Sequence, residues 1–477
     1  MENKKYDAAI IGCGLSGANI ARRLSQYAVK IAILEKEQDV SFGVSKANSG
    51  IIHGGFHHNK KYLKTQLEIQ GNALFDQLKQ ELDFPFKRCG IIVAALQKDE
   101  MKTLEQLFQQ GMENGAPGIE LCSRERILSL EPKLSPQAVG GLYAPNGGIT
   151  EPYRFVFALV ESAVKNGADL YTNFSVQKAQ LINGFWQIQA SDNRQIAAQY
   201  VVNAAGLFAD EVSALFGGEK FSIKARKGEY FLLDKQTKAK PKRIVFPAPT
   251  PISKGMLVIP TAEGTVLIGP TADDTDDKKD RATSAKQLEQ ILEAGKTMIP
   301  ELNPADVITA FAGLRPYLGE DFYIEPSKTA PRFIQVAGIQ SPGLTASPAI
   351  GEYVKNLLKE MGLTLPKKPE WNPFVPPRPR ARECSPEELD QLIALDPAWG
   401  NIVCRCEKVS EAEILQALQL GHSTLDGIKY FTRAQMGRCQ GGFCSYKIIK
   451  IILRETGLSY QEITKQGGKS YILPAAL

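Results

Sequence analysis

Four of the chain's eight cysteines fall in one C-terminal stretch, as Cys404-Arg-Cys406 and, after 32 residues, Cys439-Gln-Gly-Gly-Phe-Cys444. Four thiolates brought together hold either a tetrahedral zinc ion or an iron–sulfur cluster. Structural zinc ligands come as knuckles with two to four residues between the cysteines. The single-residue gap therefore favours a [2Fe-2S] cluster, with zinc as the alternative and unrelated free thiols as the plain one. Gly441 and Gly442, inside the second pair, let backbone N–H groups approach cluster sulfurs. A one-electron centre at this end calls for an electron source elsewhere.

The N-terminus offers one. Tyr6–Ile11 reads as a buried strand and is followed by Gly12-Cys-Gly14-Leu-Ser16-Gly17. A helical run, Ala18–Gln26, and a second strand, Lys30–Leu34, lead to Glu35 and Lys36. This is a βαβ unit with a dinucleotide fingerprint. Gly12 makes the turn, Gly14 admits a pyrophosphate, Gly17 packs helix on strand, and Glu35 can bind a ribose hydroxyl. The helix N-terminus supplies N–H groups for the phosphate. Further on, Ser45-Lys-Ala-Asn48-Ser49-Gly50-Ile-Ile-His53-Gly54-Gly55 offers small residues and polar donors where an extended cofactor would continue.

On these segments the chain resembles the D-amino-acid-oxidase-like superfamily of FAD enzymes. The nearest branches are the glycerol-3-phosphate dehydrogenases and the L-2-hydroxyglutarate dehydrogenases. Cys404-Arg-Cys-Glu with Gly437-Arg-Cys-Gln-Gly-Gly-Phe-Cys444 resembles the bacterioferritin-associated-ferredoxin-like [2Fe-2S] domain. The whole chain resembles the catalytic subunits of anaerobic glycerol-3-phosphate dehydrogenase. The resemblance implies cluster ligation by Cys404, Cys406, Cys439 and Cys444. It implies FAD contacts at Gly12, Gly14, Ser16, Gly17, Glu35, Lys36, Ser45, Asn48, Ser49, Val176, Ala205, Gly206, Gly313, Gly338, Gly343, Leu344 and Thr345. Asn203-Ala-Ala-Gly206 matches the segment that closes the FAD domain, and Gly338–Thr345 the second glycine turn, at the pyrimidine end of the flavin.

Two residues are expected to act on substrate. His53, beside two glycines, can take a hydroxyl proton as neutral imidazole. His57 and His58 read as loop histidines. In Ala312-Gly313-Leu-Arg315-Pro316, Gly313 and Pro316 are expected to fix a turn that holds Arg315, and the resemblance places this arginine against the substrate. A guanidinium fork suits a carboxylate or phosphate, with pairing to Glu320 or Asp321 as the structural alternative. Two departures leave the substrate open. Ile339-Gln-Ser341 stands where glycerol-3-phosphate enzymes carry Gly-Gly-Lys, and Leu257–Pro260 lacks the histidine of the hydroxyglutarate branch.

The elements that must position these groups are an α/β body and a small tail. Residues 1–362 form the oxidoreductase body: a Rossmann-like FAD-binding domain (roughly 1–60, 150–215 and 330–362) interleaved with an α+β substrate domain (roughly 61–149 and 216–329). Leu365–Arg382 is proline-rich, so residues 363–399 read as a connector, followed by a small helical [2Fe-2S] domain at 400–477. The strands between Phe221 and Ile268 are expected to form one largely antiparallel sheet. A formal charge of +5 over 477 residues gives no reason to expect nucleic acid. The apolar run at Ala8–Ile11 is cut by glycines and does not read as a signal peptide. No run reaches bilayer-spanning length, so cytoplasmic residence is expected, with at most peripheral membrane docking through a partner. The expected activity is hydride transfer from a small anionic hydroxy compound to FAD, with electrons leaving through the cluster to a redox partner protein or subunit. An amino-acid or amine dehydrogenase of the same superfamily, or a non-catalytic electron-transfer module, are the alternatives.

Overall fold

The computed structural model describes residues 4–249 and 255–473, which divide into two compact units. The first comprises Met1–Leu34 and Ser41–Val375; the second comprises Glu35–Val40 and Pro376–Leu477.

The first unit is built on two large sheets. Strand β1 (Lys5–Ile11), helix α1 (Leu15–Leu24) and strand β2 (Ile31–Leu34) form the expected βαβ unit, with β1 and β2 parallel. β1 also pairs in parallel with Gln195–Asn203, which pairs in turn with Phe333–Ala337. These strands are nearly all buried, as expected of parallel strands covered on both faces. An antiparallel arm, Val176–Ile182 with Phe185–Ala190, extends the sheet to eight strands with Asp169–Tyr171 and Tyr323–Pro326.

The second sheet has nine strands. Its pairing is antiparallel except where Ile244–Pro247 lies parallel to Ile91–Ala95. The segments 91–95, 120–123 and 140–144 join it, so it recruits more chain than the 221–268 region read from sequence. Lys224–Leu233 lies beside the longest strand, Val307–Tyr317.

That long strand corrects one expectation: Ala312–Pro316 is not a turn. Gly313 pairs with Gly228 and Arg315 with Arg226 in unbroken antiparallel register. Gly313 is required by a close approach, since a Cβ there would sit 1.9 Å from the Ala47 carbonyl oxygen. Pro316 is tolerated because, among the described residues, Val307–Tyr317 pairs with one neighbour and forms an edge.

Between 363 and 399 the chain divides at Val375. Upstream, Val375 N–H donates to the Glu81 carbonyl (2.8 Å) and Trp371 lies 5.6 Å from the Arg22 guanidinium. Downstream, Pro386–Leu395 is helical, opened by a capping box between Ser385 and Glu388.

The second unit is helical, with Glu411–Gln419, Leu425–Thr432 and Ser445–Thr456 besides the helix just named. A two-stranded ribbon pairs Ile402–Cys404 with Val409–Ser410 and so turns the first cysteine pair into a loop. Asp39 accepts a 2.7 Å hydrogen bond from His422 Nδ1, with both side chains buried and the imidazole stacked on Phe431. The six-residue stretch after β2 is thereby part of this unit's core.

Gly313→Ala forces the new methyl against backbone. Overpacking of this kind costs about 1–3 kcal/mol, so the variant should unfold at a lower temperature in a thermal melt and retain less FAD after purification.

Candidate functional site

The glycine fingerprint is explained atom by atom. Gly12 adopts φ +96°, and a Cβ on it would lie 2.5 Å from the Ala204 carbonyl oxygen. A Cβ on Gly17 would meet the Gly12 carbonyl oxygen at 2.0 Å, and one on Gly14 the Ser45 hydroxyl at 2.7 Å. The same hydroxyl accepts the Leu15 N–H at 3.0 Å, so Ser45 already marks an acceptor position at the N-terminus of α1. Ser16 lies half-buried in that first turn. This is the cradle a pyrophosphate needs: helix-terminal donors, bare backbone and no side chain in the way.

Of the other expected cofactor residues, Glu35 and Lys36 belong to the second unit and the rest to the first. Glu35 directly follows β2, buried, with its carboxylate accepting the Glu37 N–H (3.0 Å); Lys36 is exposed. Ala205 and Gly206 begin the turn after the long parallel strand, Gly206 at φ +59°. Val176 opens the antiparallel arm, half-buried against the sheet's core. Gly338 (φ +66°) ends the strand Phe333–Ala337, and Gly343, Leu344 and Thr345 form the first turn of the helix Gly343–Glu360.

The segment from Ser45 to Gly55 brings these parts together. Asn48 closes its own turn, donating to the Val44 and Ser45 carbonyls and accepting the Gly50 N–H. His53 N–H donates to Thr345 Oγ1 at 2.8 Å, and its carbonyl accepts from Asn72 at 2.7 Å. The imidazole is buried, with Nε2 3.2 Å from Ser341 Oγ. The ring therefore faces the second glycine turn. His57 does not share this placement; it packs between Phe56 and Phe246, with ring centroids at 4.2 and 5.1 Å.

Arg315 is half-buried, and Nη2 donates to the Thr271 carbonyl at 2.6 Å. Gly228 makes room for it, since a Cβ there would lie 2.9 Å from that nitrogen. The structural alternative is not what is found. Glu320 and Asp321 bind the start of the helix Leu63–Glu81, Asp321 accepting the Leu63 and Lys64 N–H groups at 2.7 and 2.9 Å. Arg226, directly across from Arg315, is neutralised by a two-pronged pair with Asp274 (2.6 and 3.0 Å). Lys227 is paired with Asp280. Among the described residues no carboxylate lies within ion-pair distance of Arg315. Burial holds its guanidinium below its ordinary value, opposed by Tyr230 and by more distant aspartates.

Two neighbours escaped the sequence reading. Tyr230 is buried beside Arg315 and stacked on Phe311; burial pushes its phenol up, opposed by the Arg315 charge and by the neighbouring Ser49 hydroxyl. Thr271 supplies the carbonyl that holds the arginine. Strand alternation marks Tyr230 only as an inward residue, and nothing local marks Thr271.

In the second unit the four thiols stand as two pairs. Cys406 and Cys439 sulfurs are 3.6 Å apart. The neighbouring Cys444 thiol, helped by the Gln435 and Glu407 amides, brings the Cys404 thiol down to about 6 against its desolvation. For Cys439, desolvation pushes upward but is outweighed by the Phe443 amide, the Cys406 thiol and the Gly441 and Gly442 amides. Gly437 is needed, since a Cβ there would lie 2.3 Å from Cys406 Cβ. Among the described residues no three His, Cys, Asp or Glu side chains converge on one ion. A two-and-two thiol set with amides aimed at its sulfurs suits two bridged irons.

These features define a flavoenzyme body joined to an iron–sulfur module. Residues 7–357 match the FAD dependent oxidoreductase family, and residues 402–454 the BFD-like [2Fe-2S] binding domain. The chain belongs to the FAD-dependent oxidoreductases and carries a [2Fe-2S]-binding domain. Among individual relatives, it is 42% identical over 471 residues to a glycerol 3-phosphate dehydrogenase of Caloramator mitchellensis, covering 98% of each chain. It is similar to the FAD-bound L-alpha-glycerophosphate oxidase of Mycoplasma pneumoniae, with TM-score 0.75 and 31% identity over 79% of this chain and 99% of that one. It is 29% identical to human L-2-hydroxyglutarate dehydrogenase over 56% of this chain and 61% of that one.

Replacing Cys404, Cys406, Cys439 or Cys444 singly by alanine should abolish iron retention, read as iron per chain and loss of the cluster's visible absorbance. Cys89→Ala and Cys122→Ala should leave both unchanged.

Proposed function

We propose that the chain is a dehydrogenase that oxidises glycerol 3-phosphate at its secondary hydroxyl and delivers the electrons to a redox partner protein. The observation that carries the substrate class is Arg315. It is a half-buried cation with room made for it by Gly228, bound to one carbonyl and, among the described residues, to no carboxylate. Desolvating a guanidinium without an anion is costly, and an incoming phosphate or carboxylate would satisfy the fork in two prongs. The near full-length relative that acts on glycerol 3-phosphate favours phosphate over the 2-hydroxy acid.

Each residue then has one task. Arg315 anchors the anionic end of the substrate, and the Thr271 carbonyl holds the guanidinium toward it. Tyr230 and Ser49 pack the wall beside it. His53, fixed at its backbone by Thr345 and Asn72, takes the proton of the reacting hydroxyl on its ring. Ser341, 3.2 Å from Nε2, orients that ring. Ile339–Ser341 supplies no cation here, and Gln340 is tied to the Gly319 carbonyl at 2.9 Å, so the phosphate charge rests more heavily on Arg315. Bound FAD supplies a hydride acceptor, and the [2Fe-2S] cluster a one-electron outlet. Gly12, Gly14, Ser45, Gly206 and Thr345 hold the flavin cofactor, and the four cysteines hold the cluster.

The test is an anaerobic visible spectrum of purified protein before and after glycerol 3-phosphate, L-2-hydroxyglutarate and a panel of amino acids. Glycerol 3-phosphate should bleach the flavin band. Bleaching by an amino acid alone would overturn the substrate assignment, and no bleaching by any compound would overturn the dehydrogenase reading. Arg315→Ala should raise KM by about tenfold to a hundredfold, the worth of a charged hydrogen-bond pair. His53→Ala should instead lower kcat by about 10²–10⁴-fold.

A further inference from the structure

The two cysteine pairs differ in exposure. Cys404 and Cys444 are buried, whereas Cys406 is exposed and Cys439 half-buried. The open pair is flanked by cations: Arg405 beside Cys406 and Arg438 beside Cys439, with Lys408, Lys447 and Lys450 close in sequence. All five are exposed. The one carboxylate in 404–408 and 436–450 is Glu407, which is buried and bound to Arg433 at 3.0 Å. Among these cations Phe443, next to Cys444, is 83% exposed, and Tyr446, one turn further on, 59% exposed. Single exposed apolar residues need no explanation. An exposed aromatic pair with Lys450 4.6 Å from the Tyr446 ring and further exposed cations close in sequence to the cysteines has the composition of a protein interface.

We infer that this face docks a small one-electron carrier protein whose own cofactor is ringed by Asp and Glu carboxylates. The inference rests on the reading that the four thiols hold a [2Fe-2S] cluster. Charge selects the occupant. A second copy of this chain meeting the same face would set cation against cation. An acidic carrier is steered in by the field and held by Phe443 as its apolar anchor. Each encounter passes one electron from the reduced cluster to the oxidised carrier. The cluster is left oxidised and the carrier reduced by one, with no atom transferred. Two encounters clear the electron pair of one substrate oxidation.

The experiment titrates full-length protein with an acidic plant-type [2Fe-2S] ferredoxin, and with a basic cytochrome c as control, by calorimetry at low and high salt. Iron per chain is measured first on every sample. Ferredoxin should bind and cytochrome c should not, with affinity falling as salt rises. Lys447→Glu should weaken binding about three- to tenfold at low salt only. Phe443→Ser should weaken it about tenfold or more at both salts, and both variants should keep wild-type iron. Equal binding of the two carriers, or no effect of either substitution, overturns the inference. So does a change of sedimentation coefficient in Phe443→Ser with unchanged ferredoxin affinity, which would make the face a contact between copies. Absent iron in the wild-type protein overturns the cluster reading instead, and the titration still reports on the surface.

Discussion

The segment Ser45–Gly55 is held from three directions, and the arrangement of the first unit depends on that clamp. Ser45 accepts an N–H from the start of α1. On a second side, the backbone of Ala47 meets Gly313 so closely that no side chain fits. On the third, His53 is tied to Thr345 at the start of the helix Gly343–Glu360. One stretch of chain thus registers the nucleotide-binding helix, the antiparallel sheet and the second glycine turn against one another. The His53 imidazole and the Arg315 guanidinium, to which the proposed function gives the proton and the anion, come from elements more than 250 residues apart in sequence, and this clamp ties both elements to the same segment. Errors of about 1 Å in such placement are costly to catalysis, and each tie of the clamp engages a backbone group on at least one side.

What was legible in the sequence was what local pattern controls. The βαβ unit, the glycine fingerprint, the capping boxes at Ser385 and Ser410, and the amphipathic helices lie close to their expected bounds, because each is specified within a few residues. The C-x-C and C-x4-C spacings were legible too, but the approach of Cys406 to Cys439 joins positions 33 apart and was not. Ala312–Pro316 was misread because glycine and proline signal a turn only when nothing distant needs them. Here Gly313 answers to the Ala47 carbonyl, and Pro316 to the free side of an edge strand. Tyr230 and Thr271 were invisible because their meaning comes from Arg315, and sequence gives no register between strands so far apart.

The same argument explains the boundary at Val375. A proline-rich stretch looks like a connector, since proline can neither donate to a ladder nor sit inside a helix. Proline does not prevent packing. Trp371 still stacks near Arg22, and Val375 still donates to Glu81. The six residues after β2 gave no sign that they pack with the helical unit, because the contact that fixes them, Asp39 to His422, joins positions 383 apart. The fourth histidine of the chain, easily passed over beside the three near the flavin segment, is a buried structural partner.

The charge pattern separates substrate from partner. In the first unit the cations near the site are individually accounted for: Arg226 by Asp274, Lys227 by Asp280, and Lys278 by Asp210, leaving Arg315 without a carboxylate among the described residues. A single unmatched guanidinium in a half-buried place selects a small anion by geometry, because the ion must give up its water to reach it. In the second unit the cations near the open sulfurs are spread over an exposed surface, where water screens each and only their sum matters. Such a surface cannot discriminate a small molecule, but it can steer a macromolecule of opposite sign. The two arrangements therefore suit the two ends of one electron path. In the function proposed above, the guanidinium would meet a substrate that gives up a pair, and the exposed cations a carrier that removes electrons singly.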